Sequence, residues 1–197
     1  LESASNRRRM EAQREIQRRK LPLASRAAII AMLDEEKAPL NARAAAICAF
    51  GGLSLDEKRR TTFALDKQTF RFGVRHFSDY GLLVDDSKGW IDLDPRLAVE
   101  VALAAARTGK VEQAIDALLP WIGKDLTVTH TTVRSLAACK AWAITFSLID
   151  DPKQQGIVKS HALGALAMMH TPEVVSGLIE RLGKATDPAL RQGILSA

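Results

Sequence analysis

Asp151-Pro152-Lys153-Gln154-Gln155-Gly156-Ile157 returns 36 positions later as Asp187-Pro188-Ala189-Leu190-Arg191-Gln192-Gly193-Ile194, with its closing triplet 37 positions on. Each copy opens with a carboxylate followed by proline. A side-chain oxygen can cap the first free N–H groups of a helix, and proline fits the first turn because its φ is preset and its missing N–H is not needed there. Asp94-Pro95 and Thr171-Pro172 have the same form, so four helix starts are marked. Between them apolar residues recur at helical spacing: Leu97, Val101, Ala104 and Ala105, then Val111, Ile115, Leu118, Leu119 and Ile122, then Val133, Leu136 and Ala137 with Ile144 and Leu148. Alternation with period two is not sustained anywhere. The spacing predicts helices near 6–20, 24–36, 41–51, 56–65, 69–81, 95–108, 110–122, 129–149, 154–169 and 172–184, and from 187 onward. Short connections between them are those of antiparallel pairs.

Helix pairs recurring every thirty to forty residues indicate an α-solenoid, in which each unit buries its apolar face against its neighbours. The expected fold is all-α, a superhelix of about four to six helix pairs. An Arg followed three residues later by Ala also recurs, at Arg9 and Ala12, Arg43 and Ala46, and Arg134 and Ala137. The alanine lets neighbouring helices approach, and the arginine can reach the carbonyls or an Asp of an adjacent turn. Residues 1–84 are read as one group of pairs, 85–94 as an acidic loop and 95–197 as a second group. The last helix stops short of a third turn, which reads as a segment of a longer protein.

These residues resemble HEAT repeats, whose second helix opens on an Asp-Pro or similar turn, then an apolar residue, an Arg and a small residue. Asp187-Pro188-Ala189-Leu190-Arg191 fits that form, and Asn41-Ala42-Arg43 and Thr132-Val133-Arg134 fit it in part. Asp66 to Arg71 has one residue too many before its Arg, and 85–94 break the period. A narrower resemblance lies in Met169 to Ile179 followed by Thr186-Asp187-Pro188, and in Val128-Thr129-His130 with Val133 to Leu136. These stretches are similar to the HEAT segment of large secreted planctomycete-type proteins that join a β-propeller resembling sugar dehydrogenases, a HEAT array and a haem-binding cytochrome c domain. That resemblance implies a spacer and docking module of an exported electron-transfer protein, and hence a periplasmic or secreted location. The haem motif Cys-x-x-Cys-His is absent from the chain, so no cofactor is expected here.

Composition agrees with a folded domain or repeat array: of 197 residues 47% are hydrophobic, 26% charged and 5% aromatic, which excludes disordered and collagen-like chains. The net charge of +5 would suggest an acidic or nucleic-acid partner. It is confined to residues 1–26, where eight bases face three acids. Glu15 is placed to pair with Arg18 and Arg19, so part of this charge is a solvated helix face. The apolar stripe of that helix is thin: Met10, Ala12 and Ile16. No apolar run approaches the ~20 residues of a membrane span. Cys48 and Cys139 lie in apolar helical stretches and read as small buried hydrophobes.

Catalytic and metal signatures are missing. His76, His130, His161 and His170 show no metal-ligand spacing, the acidic run from Asp85 to Asp94 lacks the order of a calcium loop, and no nucleophile or phosphate-loop motif occurs. Nucleic-acid binding is the rival reading. Phe63, Phe70, Phe72, Phe77 and Tyr80 interleave with Lys67, Arg71, Arg75 and His76. Against it, Phe70, Val74, Phe77 and Gly81 form a core stripe that leaves Arg71, Arg75 and Ser78 on the other face. Some HEAT-like proteins resemble this chain and are alkylpurine DNA glycosylases using Trp and Asp in a basic groove. Trp121, Asp125 and Trp142 could serve that part, but Lys110, Lys124, Arg134 and Lys140 among them are matched by Glu112, Asp116, Asp125 and Asp150. The reading favoured is a non-catalytic scaffold or interdomain docking module holding a protein partner. Its candidate surface residues are Arg7, Arg8, Arg14, Arg18, Arg71, Arg75, Trp90 and Trp121.

Overall fold

The computed structural model describes residues 1–19, 23–35, 37–50, 67–81 and 93–197. The chain divides into two compact units, Leu1–Val84 and Asp85–Ala197. Both are all-α, with no strand among the described residues. The expected helix at 56–65, the acidic loop at 85–92, Phe63 and Trp90 lie outside the described residues.

In the first unit, α1 (Asn6–Arg18), α2 (Leu23–Asp34) and α4 (Lys67–Ser78) all pack on α3 (Leu40–Phe50). The reason is size: Ala42, Ala45, Ala46 and Ala49 are buried on α3, so three helices can approach one axis closely. Ile29, Leu33, Ile47 and Phe77 fill the space around them. On α4 the stripe Phe70, Val74 and Phe77 is buried as expected. Two members of that reading move. Gly81 lies past the helix end at φ +72°, and Ser78 is buried rather than exposed, its hydroxyl donating to the Arg75 carbonyl at 2.7 Å.

The second unit contains α5 (Pro95–Thr108), α6 (Val111–Leu118), a 3-10 turn (Leu119–Trp121), α7 (Leu126–Ala138), α8 (Trp142–Asp150), α9 (Gly156–Ala167), α10 (Pro172–Lys184) and α11 (Pro188–Ser196). Alternate helices form two layers. In one, α5 packs on α7, α7 on α9 and α9 on α11, while α6, α8 and α10 lie against that row and α8 touches α10. The register inside the row is regular. Leu97, Val101, Ala102, Ala104 and Ala105 are buried on α5; the same five places are filled on α7 by Val128, Thr132, Val133, Ser135 and Leu136, and on α9 by Val158, Ala162, Leu163, Ala165 and Leu166. Each set follows the one before by thirty or thirty-one positions, and Ile194 of α11 follows Leu163 at the same interval. The interval that organises the packing is therefore shorter than that of the Asp-Pro and Gln-Gly-Ile copies. Gly156 opens a helix whereas Gly193 sits inside one, and Ile157 is exposed whereas Ile194 is buried, so those copies are not structurally equivalent.

Three of the row helices, α5, α7 and α9, are followed by a residue in the left-handed region: Gly109 (φ +69°), Lys140 (φ +50°) and His170 (φ +46°), which recur at the interval of the burial pattern. That conformation reverses the chain so that α6, α8 and α10 can run back along the row. It also breaks the helix expected over 129–149 into α7 and α8. The capping expectations are met at Asp94 and Asp187, whose carboxylates accept the N–H of Leu97 (2.8 Å) and Ala189 (2.9 Å). Asp125, with no proline after it, caps α7 through the Val128 N–H at 2.9 Å. At Thr171 the hydroxyl makes no capping bond. Asp151-Pro152 starts no helix: Asp151 closes α8, its carboxylate takes the Lys153 N–H at 2.9 Å, and α9 begins at Gly156.

Candidate interaction surface

The arginines of α1 are the first candidates, and the structure uses several of them within the helix. Arg7 pairs with Glu11 at 2.9 Å, while Arg18 and Arg19 both pair with Glu15. The hydrogen bond from Arg18 holds the Glu15 carboxyl below its ordinary range, with Arg19 adding to the effect. Arg8 and Arg14 are exposed. No residue of α1 is buried, and the helix is held to α3 partly by amides: Gln13 donates to the Ala45 carbonyl at 3.3 Å and Gln17 to that of Cys48 at 3.0 Å. The apolar stripe of α1 is thin, and these glutamines, which carry no apolar signal, add polar anchors to α3.

On α4, the Arg71 guanidinium lies 5.0 Å from the centre of the Phe72 ring, and Arg75 is exposed. Arg43 is buried, and its Nη2 donates to Thr69 Oγ1 at 3.4 Å. It ties α3 to α4 instead of facing a ligand. Trp121 is half-buried in the 3-10 turn. Asp125 is engaged in capping, and Trp142 lies in the α8–α10 groove with Phe146, Glu173 and Arg181. The residues that could have composed a glycosylase-like cluster thus have separate surroundings. Among the described residues, no three His, Cys, Asp or Glu side chains gather where a metal ion could sit. Cys48 and Cys139 are free, and burial raises both thiols above their ordinary pKa, which suits neither to nucleophilic work.

The α8–α10 groove, of about 480 Å³, has a tight arrangement on one side. Arg181 forms a fork on Asp150 (2.9 and 2.5 Å) and lies 3.9 Å over the Phe146 ring, and a Cβ at Gly177 would fall 2.5 Å from that ring. Arg–carboxylate forks fix geometry as well as adding energy. This contact holds two helices together and leaves little of its charge for a partner.

The opposite layer carries a groove of similar size. A groove of about 490 Å³ runs between α5 and α7, floored by Ala106, Ala137 and Ala138, walled by Leu103 and by Met168 from the end of α9, and edged by His130 and Arg134. Leu103 is 36% and Met168 47% exposed, and no residue of α6, α8 or α10 lines it. Charge separates between the layers in the same sense. Within their spans α5, α7, α9 and α11 carry Arg96, Arg107, Arg134, Lys159 and Arg191 against Glu100, with Asp94, Asp125 and Asp187 capping three of their N-termini. The other layer carries Glu112, Asp116, Asp150, Glu173 and Glu180 against Arg181 and Lys184, both of which are paired. None of the groove residues was singled out from the sequence as a surface. Among the described residues no helix is long and apolar enough to cross a membrane.

No family model, no curated protein and no solved structure matches this chain.

Proposed function

We propose that the chain is a non-catalytic helical-repeat scaffold of the HEAT kind whose second unit docks a protein partner on the α5–α7–α9 row. The observation that carries this reading is the row itself: one five-position burial pattern, repeated from α5 to α7 to α9, stacks helices side by side and leaves their outer faces as a continuous platform. On that platform the alanines keep the floor shallow while Leu103 and Met168 stand exposed, a mixture that suits a polypeptide with apolar side chains. Nucleic acid is favoured less. Phosphate contacts need several cations along a track, and stacking needs aromatic faces; this groove offers one arginine and one imidazole, and no aromatic ring other than His130.

A photoreactive amino acid placed at Leu103, and in a control at Gln113 on α6, tests the reading in extracts of the source cells. Polypeptide adducts from position 103 that are missing from position 113 support it. Equal labelling from both layers, or adducts with nucleic acid from position 103, would overturn it. The narrower resemblance extends the proposal to an exported parent protein with a cytochrome domain. The complete reading frame tests that part: a signal sequence upstream and Cys-x-x-Cys-His downstream support it, and the lack of both would end it.

A further inference from the structure

The docking surface has a chemistry of its own, and it differs from what the overall charge suggests. Beyond residue 26 acids and bases are equal in number, yet within their helical spans the row helices carry five bases and one acid, the further carboxylates Asp94, Asp125 and Asp187 being engaged in capping their N-termini. No carboxylate lines this stretch of the α5–α7 groove, while Asp94 and Asp125, engaged in helix capping, line the stretch at the helix N-termini beside Arg96. Arg134 projects at the edge of the groove and forms no hydrogen bond or ion pair among the described residues, so its charge is available to a ligand. Leu103 on α5 and Arg134 on α7 hold the same place in the burial register, so the groove offers an apolar and a cationic group in equivalent positions on neighbouring helices. Met168 adds a flexible apolar wall that can adjust to different side chains.

Resting on the docking reading above, we propose that this groove takes an acidic segment of a partner protein, one that interleaves carboxylates with large aliphatic side chains. The aliphatic groups seat over Ala106, Ala137 and Ala138 between Leu103 and Met168, and a carboxylate meets the Arg134 guanidinium, whose planar fork can hold both oxygens. Charge chooses the partner and speeds encounter; apolar contact supplies the remainder.

The test uses the full chain and a fluorescein-labelled peptide of about a dozen residues alternating Glu-Glu with Leu-Leu, read by fluorescence anisotropy. Three comparison probes accompany it: the same peptide with Lys for Glu, the same with Ser for Leu, and single-stranded oligothymidylate of similar length. The acidic aliphatic peptide is expected to bind most tightly and to weaken as salt rises. Arg134→Glu and Met168→Gln should each weaken it on the order of tenfold, with unchanged circular dichroism, while Gln113→Arg on α6 leaves it unaltered. Equal binding of the Ser-substituted peptide would reduce the site to bare charge and overturn the proposal, as would preference for the Lys peptide or for oligothymidylate, or indifference to both groove variants. Crosslinks from position 103 to a protein without such an acidic aliphatic segment would overturn this chemistry yet leave the docking surface standing. Absence of polypeptide crosslinks removes the docking reading itself.

Discussion

At the residue scale, the buried hydroxyls differ sharply in their partners. Ser135 reaches across from α7 and donates to the Ala102 carbonyl of α5 at 2.8 Å, while Thr132, fully buried one turn earlier, has no hydrogen-bond partner for its Oγ1 among the described residues. Its counterpart on α5 is Val101. An unsatisfied buried hydroxyl costs ~1–3 kcal/mol. Thr132→Val is therefore expected to raise stability by about 1 kcal/mol in urea unfolding, while Ser135→Ala lowers it by about the same amount; a loss on Thr132→Val would contradict this. The thiols give a pH dependence. Burial raises the folded pKa of Cys48 and Cys139, so the stability they contribute is full below the unfolded thiol pKa and is lost as pH rises through the folded value. Alkylation by iodoacetamide should accordingly be slower in the native protein than in urea near pH 8.5, and equal rates would show that neither thiol is shielded.

At the scale of elements, the sequence was most legible where punctuation is written in Asp and Pro, as at Asp94 and Asp187. It was least legible where an ordinary residue takes an unusual conformation. Lys140 does what Gly109 does thirty-one positions earlier, turning the chain through the left-handed region without glycine's signal, and so α7 and α8 read as one helix. A non-glycine residue there is strained by roughly 1 kcal/mol, part of which glycine returns as lost chain entropy. Lys140→Gly and His170→Gly should each stabilise the fold by up to ~1 kcal/mol, and Gly109→Ala should destabilise it by about 1 kcal/mol; thermal melts of the three variants decide the sign. The second layer makes a similar comparison. Counted from the left-handed residue, Leu118, Ile149 and Ile179 share a position, yet Ile149 is 2% and Ile179 66% exposed. Ile149→Ala should cost ~2–5 kcal/mol and Ile179→Ala within ~0.5, so equal losses would refute the orientation of α10.

At the scale of the molecule, the all-α class followed from helical spacing and helix punctuation, but the period did not. The Asp-Pro copies mark a turn in one place and a helix start in the other, whereas the true register is kept by buried residues, Ala102, Val133 and Leu163 among them, whose sizes and identities vary too much to stand out. The groove was hidden for a related reason. In linear order the acids of α6 and α8 are interleaved with Arg134 of α7 and with Lys110, Lys124 and Lys140 of the connections, so residues 110–150 look neutral, and only side-by-side stacking of alternate helices separates the helical charges. The arginine-rich first helix drew attention instead, although several of its charges are paired within the helix. Backbone and methyl NMR of the full chain titrated with the acidic aliphatic peptide locates the face that binds. Shifts concentrated at Leu103, Ala106, Arg134, Ala138 and Met168 are the predicted result, and shifts concentrated on α1 or on α6 and α8 would contradict it.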